Sequence, residues 1–143
     1  MAYRLEVIGI AAKDFDASLK FYQNMLELGV GFTINNDPKH PYLQLSRDTF
    51  LELAGAGGNQ AAGFTHVHLV VDDLTKTLAR LKQSGMPVTA NTSDARMPGS
   101  VTVASFSTPS QVYAAYISDP DNLRLELNQW VDSLPKRAAE AWK

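Results

Sequence analysis

Residues 5–22 read LEVIGIAAKDFDASLKFY, and residues 64–81 read FTHVHLVVDDLTKTLARL. Laid on each other, Leu5 meets Phe64, Asp14 meets Asp73, Phe15 meets Leu74 and Leu19 meets Leu78. Each stretch opens with an apolar run, breaks at an aspartate, and continues with apolar residues at steps of three and four. An extended run that ends at an aspartate cap and changes to a helical period is a strand followed by a helix. A second pair of stretches closes each half: FLEL at 50–53 and RLEL at 124–127, with Glu52 on Glu126. The chain is therefore written as two copies of one unit. Neither copy could bury its sheet face alone, so the two must pack together.

The first copy is expected to run as a strand over 4–12 and a helix over 16–28. Leu19, Tyr22, Met25 and Leu26 form the stripe of that helix, with Phe21 and Tyr22 read as core. Asp14 or Asp16 caps the helix and Gly29 ends it. Strands follow at 30–34, 42–45 and 50–53. AGAGGNQAAG at 54–63 carries no large apolar side chain and reads as a linker. The second copy has a strand at 65–71, Asp72 or Asp73 as a cap, and a helix marked by Leu74, Leu78 and Leu81. Gly85 stops that helix, and Pro87 keeps it from resuming. Strands are expected at 88–90, 101–107, 113–118 and 123–128, with a polar loop at 91–100. The fold expectation is one α+β domain of two tandem βαβββ modules whose curved sheets form a shared cleft. Module one spans 4–54, the linker 55–63, module two 64–130, and a C-terminal amphipathic helix 133–143.

The chain's 143 residues suit one ordinary domain, and 45% apolar side chains suffice for a core. With 13 basic against 15 acidic side chains the net charge is −2, and no basic stripe is visible. That sets nucleic acid aside as a partner, since phosphate neutralisation needs clustered Lys and Arg. No cysteine is present, so disulfide and thiolate chemistry are excluded, and a reducing cytoplasm is the expected location. The start, MAYRLEVIGIAAKDF, is broken by Lys13 and Asp14 and carries no cleavage pattern, so no signal peptide is expected. Nothing approaches the roughly 20 apolar residues of a membrane span.

VIGIAAKDFDASLKFYQNMLELG at 7–29, THVHLVVDDLTKTLARLKQSG at 65–85 and YISDPDNLRLEL at 116–127 together resemble the vicinal oxygen chelate superfamily. That superfamily includes glyoxalase I, bleomycin-resistance proteins, methylmalonyl-CoA epimerase and extradiol dioxygenases. The resemblance covers residues 5–127 and implies a glyoxalase-like fold. It also implies a divalent metal (Zn, Ni, Co, Mn or Fe) held by the first and last strands of each module. The four ligand positions it implies are Val7, Glu52, His66 and Glu126, and Val7 departs from the pattern because it has no donor atom. The repeat places these residues in equivalent slots by itself, Val7 on His66 and Glu52 on Glu126. His68, two residues from His66, shares its face of the strand. It is read as a replacement ligand, a positioning partner or general base, or a substrate-binding donor lining the pocket.

Two functions compete. The first is a metal-dependent lyase or isomerase of glyoxalase type. It would act on a small oxygen-bearing substrate through an enolate-type species, with Glu52 or Glu126 as the base. The second is a bleomycin-resistance-like binder without a catalytic metal, in which Phe106, Tyr113, Tyr116 and Trp130 stack on a flat ligand. Tyr113 and Tyr116 lie three apart on a strand, so only one of them can face the pocket. An extradiol dioxygenase is the third reading; those relatives keep both first-strand histidines, which counts against it. Taken singly, Glu52 or Glu126 could be a solvent-facing strand residue, and Arg124 could simply pair with Glu126. His40, in DPKHPY, reads as a loop residue. The resemblance further implies a homodimer and a small-molecule substrate or ligand.

Overall fold

The computed structural model describes residues 3–33, 37–86, 89–90, 100–105 and 108–130, with the backbone alone for 89–90, 100–105 and 108–111. Phe106, the loop expected at 91–100 apart from Ser100 and the helix expected at 133–143 lie outside the described residues.

The first copy consists of strand β1 (Tyr3–Ala12), helix α1 (Phe15–Lys20) with a π-helical turn (Phe21–Met25), and strands β2 (Val30–Thr33), β3 (Pro41–Gln44) and β4 (Phe50–Gly55). The second consists of strand β5 (Gly63–Val71), helix α2 (Leu74–Gln83), and strands β6 (Thr89–Ala90), β7 (Ser100–Ser105), β8 (Thr108–Ser118) and β9 (Arg124–Trp130). The strands join in the order β2-β3-β4-β1-β5-β9-β8-β6, with β7 on β8. The fold is α+β, with the two repeat units meeting along β1 and β5.

That junction positions everything that follows. β1 and β5 are antiparallel with Val7 opposite His68 and Gly9 opposite His66. On the outer side of β1 lies β4, parallel, with Glu52 beside Gly9. On the outer side of β5 lies β9, also parallel, with Glu126 beside His68. The register thus brings both glutamates and both histidines to the middle of one sheet.

Two irregularities bend the junction. Between Leu5 and Val7 the pairing shifts by one residue, so Glu6 is the extra residue of a β-bulge. Glu6 and Val7 are consequently both buried, where simple alternation would send one of them to solvent. The second shift, between Gly9 and Ile10, leaves Thr65 unpaired next to His66.

Both helix caps follow the aspartates: Asp14 accepts from the Ala17 N–H at 3.0 Å, and Asp73 from the Lys76 N–H at 2.9 Å. α2 buries Leu74, Leu78 and Leu81 against Val71, Tyr113, Ala115 and Leu127, which forms one core cluster. The first helix corrects the expectation. It does not run regularly to Leu28, and none of its residues is buried. The π-helical turn shifts the angular positions of Phe21, Met25 and Leu26, and these side chains stand 50%, 73% and 53% exposed. Glu27, at φ 56°, turns the chain out of the helix before Gly29 is reached. The second core cluster is instead aromatic, with Val7, Phe32, Tyr42, Phe50 and Val112 packed against Trp130.

Candidate metal centre

Strand alternation and register deliver four polar side chains to one point. Glu52 and Glu126 are 8% exposed and His68 4%, so the groups meet out of bulk water. His68 Nε2 lies 3.1 Å from Glu52 Oε2 and 3.2 Å from Glu126 Oε2. His66 Nε2 lies 3.3 Å and 3.5 Å from the same two oxygens. The two Nε2 atoms face each other at 2.5 Å, a separation met when a proton is shared between them.

His40 corrects the sequence reading. It stands at the end of the turn before β3, stacked on Tyr42 at 5.8 Å between centroids. Its Nε2 reaches Glu52 Oε1 at 2.5 Å. All 3 histidines of the chain therefore converge on Glu52, a signal that composition offered and loop placement hid. Asn128 was also missed. Turned with its oxygen toward His68, its amide accepts from His68 Nδ1 at 3.2 Å and donates to Glu126 Oε1 at 3.0 Å. Thr65 Oγ1 sits 2.6 Å from His66 Nδ1. Each central imidazole thus has its Nδ1 engaged, which leaves Nε2 as the free coordinating atom.

Gly9 makes room for this arrangement. A Cβ at position 9 would stand 2.6 Å from His66 Nδ1 and would also collide with the Thr65 hydroxyl. In the repeat, Gly9 is the counterpart of His68 as Val7 is of His66. The first copy therefore contributes no imidazole from β1; both come from β5, and His68 reaches the two glutamates from opposite Val7.

Electrostatics follow from the crowding. Burial opposes ionisation of Glu52, but the imidazoles of His40, His66 and His68 outweigh it and hold the carboxyl well below the usual carboxylate range. Burial disfavours the charged form of His66, yet Glu126 and Glu52 raise it to about 9. His40 is raised by its bond to Glu52. Burial and the Glu126 carboxylate push Tyr116 up to about 12, and Tyr42 is raised by burial and by Glu52.

One oxygen is left over. Glu52 Oε2 is buried, close to both Nε2 atoms, and has no hydrogen-bond partner. Glu52, His66 and His68 offer ligand atoms that all lie within 4.8 Å of one another. A carboxylate and two imidazoles suit a borderline divalent cation, and such a cation would satisfy the orphaned oxygen. The residues fit a metal.

Two cavities flank the donor set. The inner one, of about 160 Å³, has an apolar wall of Val7, Phe32, Tyr42, Val112, Tyr116 and Trp130, with Glu52, His68 and Glu126 at its polar end. The outer one, of about 180 Å³, lies on the His66 side and includes Gln60 from the linker. Tyr116 therefore lines a cavity. Tyr113, expected as a substrate-binding residue, does not, because it packs into the core under α2.

The family model described as Glyoxalase/Bleomycin resistance protein/Dioxygenase superfamily matches residues 4–127. The chain belongs to this superfamily. Solved structures agree on the glyoxalase fold. A superfamily member from Vibrio splendidus is 15% identical, with a TM-score of 0.59, over 91% of this chain and 100% of that one. A methylmalonyl-CoA epimerase variant from Streptomyces coelicolor, bound to 2-nitronate-propionyl-CoA, is 18% identical, with a TM-score of 0.63, over 90% and 95%. A protein from Bacillus halodurans is 18% identical, with a TM-score of 0.60, over 90% and 94%. No curated protein matches the sequence. Within the glyoxalase superfamily, this chain's donors are gathered around the β1–β5 junction, and no helix among the described residues is long and apolar enough to cross a membrane.

Proposed function

We propose that this protein is a metal-dependent lyase or isomerase of glyoxalase type acting on a small oxygen-bearing molecule. The carrying observation is the buried Glu52 Oε2, which lies 3.3 Å and 3.1 Å from two imidazole Nε2 atoms without a regular hydrogen bond to either. Glu52, His66 and His68 would hold the cation, with Glu126 at its edge. When bound, a divalent cation supplies Lewis-acid polarisation of a carbonyl oxygen.

The chain's own groups divide the remaining work. Glu52 is a poor base, because His40 occupies Oε1 and the imidazoles stabilise its ionised form. Glu126 is the better base: Asn128 fixes its Oε1 and leaves Oε2 directed at the donor set. A proton taken from substrate carbon would therefore rest on Glu126 Oε2. The aromatic wall keeps water from the reacting carbon. A drug-binding reading is weaker, since it gives no task to a carboxylate and two imidazoles whose ligand atoms all lie within 4.8 Å of one another.

The test is metal content. Protein purified without chelator or nickel resin should carry about one equivalent of a divalent transition metal by elemental mass spectrometry. Glu52→Gln and His68→Ala should carry a tenth of that or less. Parent protein that stays metal-free after incubation with Zn, Ni, Co, Mn and Fe salts would overturn the reading. We also propose a homodimer, motivated by the uncovered apolar face of Phe21, Met25 and Leu26. Sedimentation equilibrium checks it, and a monomer at high concentration rejects it.

A further inference from the structure

The outer cavity has a chemistry that the metal reading does not use. Arg124 stands opposite His66 in the β9–β5 ladder and two residues before Glu126, so it shares the face of the donor set. Its guanidinium carbon lies 4.2 Å from the centroid of the Tyr116 ring. Among the described residues no carboxylate pairs with it, and Glu126 turns instead to Asn128 and the imidazoles. The stacking fixes the plane of the guanidinium but leaves its charge unneutralised. Gln60 and Thr65 add polar groups to the same cavity. Glu52 also borders it, but its two oxygens face the imidazoles of His40, His66 and His68 instead of the arginine. Arg124 is exposed at the rim of this cavity, where its guanidinium can meet an anion that enters.

Glu52 lines both cavities, so the donor set lies between an apolar recess and a cationic one. The apolar recess, about 160 Å³, is close in size to cavities of about 150 Å³ that hold one benzene ring. We infer that the substrate of this site is a small carboxylic acid. Its compact apolar group, no larger than about one ring, fills the recess beside Phe32, Tyr42 and Trp130. Its carboxylate is held by Arg124 in the outer cavity, and its oxygen-bearing carbon lies at the donor set. The inference deepens the proposed function and rests on it for the central position alone.

The probe is 3-hydroxy-3-phenylpropanoate, compared with its neutral methyl ester by calorimetric titration of the zinc-treated full chain. Charge-assisted recognition by one guanidinium should favour the acid by roughly ten- to a hundredfold. Arg124→Gln should abolish that preference while leaving ester affinity, zinc content and thermal midpoint unchanged. Arg124→Lys should restore part of it. Equal binding of acid and ester by the parent, no binding of either, or a preference that survives Arg124→Gln overturns the inference. The metal reading is judged separately by the zinc content. A metal-free protein that keeps an Arg124-dependent preference supports the carboxylate subsite while rejecting the metal, and a zinc-loaded protein without the preference does the reverse.

Discussion

EDTA should lower the thermal midpoint of the metal-loaded protein by roughly 10 °C, and this fall should vanish in Glu52→Gln and His66→Ala but persist in Val7→Ala. A ligand that binds only the folded state stabilises it by RT ln(1 + [L]/Kd), about 2.7 kcal/mol at a hundredfold excess over Kd. For a chain of this length, about 1 kcal/mol moves the midpoint by roughly 3–4 °C. Removing Glu52 Oε2 or His66 Nε2 removes a donor, so the chelator has nothing left to withdraw. Val7 is 1% exposed and packs against the aromatic cluster, so trimming it leaves a small cavity at a cost of about 1–2 kcal/mol. That cost is the same with or without EDTA. The difference between the two scans, rather than either midpoint alone, therefore separates a ligand from a packing residue. If the parent midpoint ignores EDTA after metal loading, the cation is not part of the folded state.

The contrast between Val7 and its neighbours shows which features a sequence exposes. An aspartate cap for each helix and α2 were legible in local periodicity, and the internal repeat paired Glu52 with Glu126 and Val7 with His66; a ligand role for these positions came from the resemblance and not from any period. Alternation on β4, β5 and β9 decides which face Glu52, His66, His68 and Glu126 share, and that period is written in the residues themselves. His40 was not legible. Its place depends on how the turn before β3 folds back over β4, which is a tertiary outcome with no local pattern. The stripe Leu19, Tyr22, Met25 and Leu26 satisfied a helical period, yet the ladder slipped into a π-helical turn. There Leu26 N bonds to Phe21 O and Leu28 N to Tyr22 O. Glu6 was hidden for a third reason: a bulge adds one residue and turns a side chain that alternation would leave outside.

Glu6→Gln should make the protein about 3 kcal/mol more stable at pH 8, with little effect at pH 4. Glu6 is 0% exposed; its Oε1 accepts from the Trp130 indole N–H at 2.5 Å, and its Oε2 has no partner. Burial lifts the carboxyl from 4.5 to about 7, against the opposing pull of the Trp130 bond and of His68. Between these two values the folded chain keeps a proton on Glu6 that the unfolded chain has released. The folded state then binds more protons than the unfolded one, so stability falls as pH rises through this window. Each pH unit is worth about 1.4 kcal/mol, which gives about 3 kcal/mol in all. Below the unfolded value the acid is neutral in both states, and glutamine imitates it, still accepting from Trp130. Above the folded value the parent must bury a charge beside the Trp130 indole, whereas the variant does not. Urea denaturation of both proteins at pH 4, 6 and 8, in EDTA so that no cation favours the ionised acid, measures the gap directly. Contributions from titrating groups that do not interact with Glu6 cancel in the difference between the two chains. A gap that does not widen from pH 4 to pH 8 would show that Glu6 ionises freely, with its carboxylate reaching solvent or a cation instead of standing against Trp130.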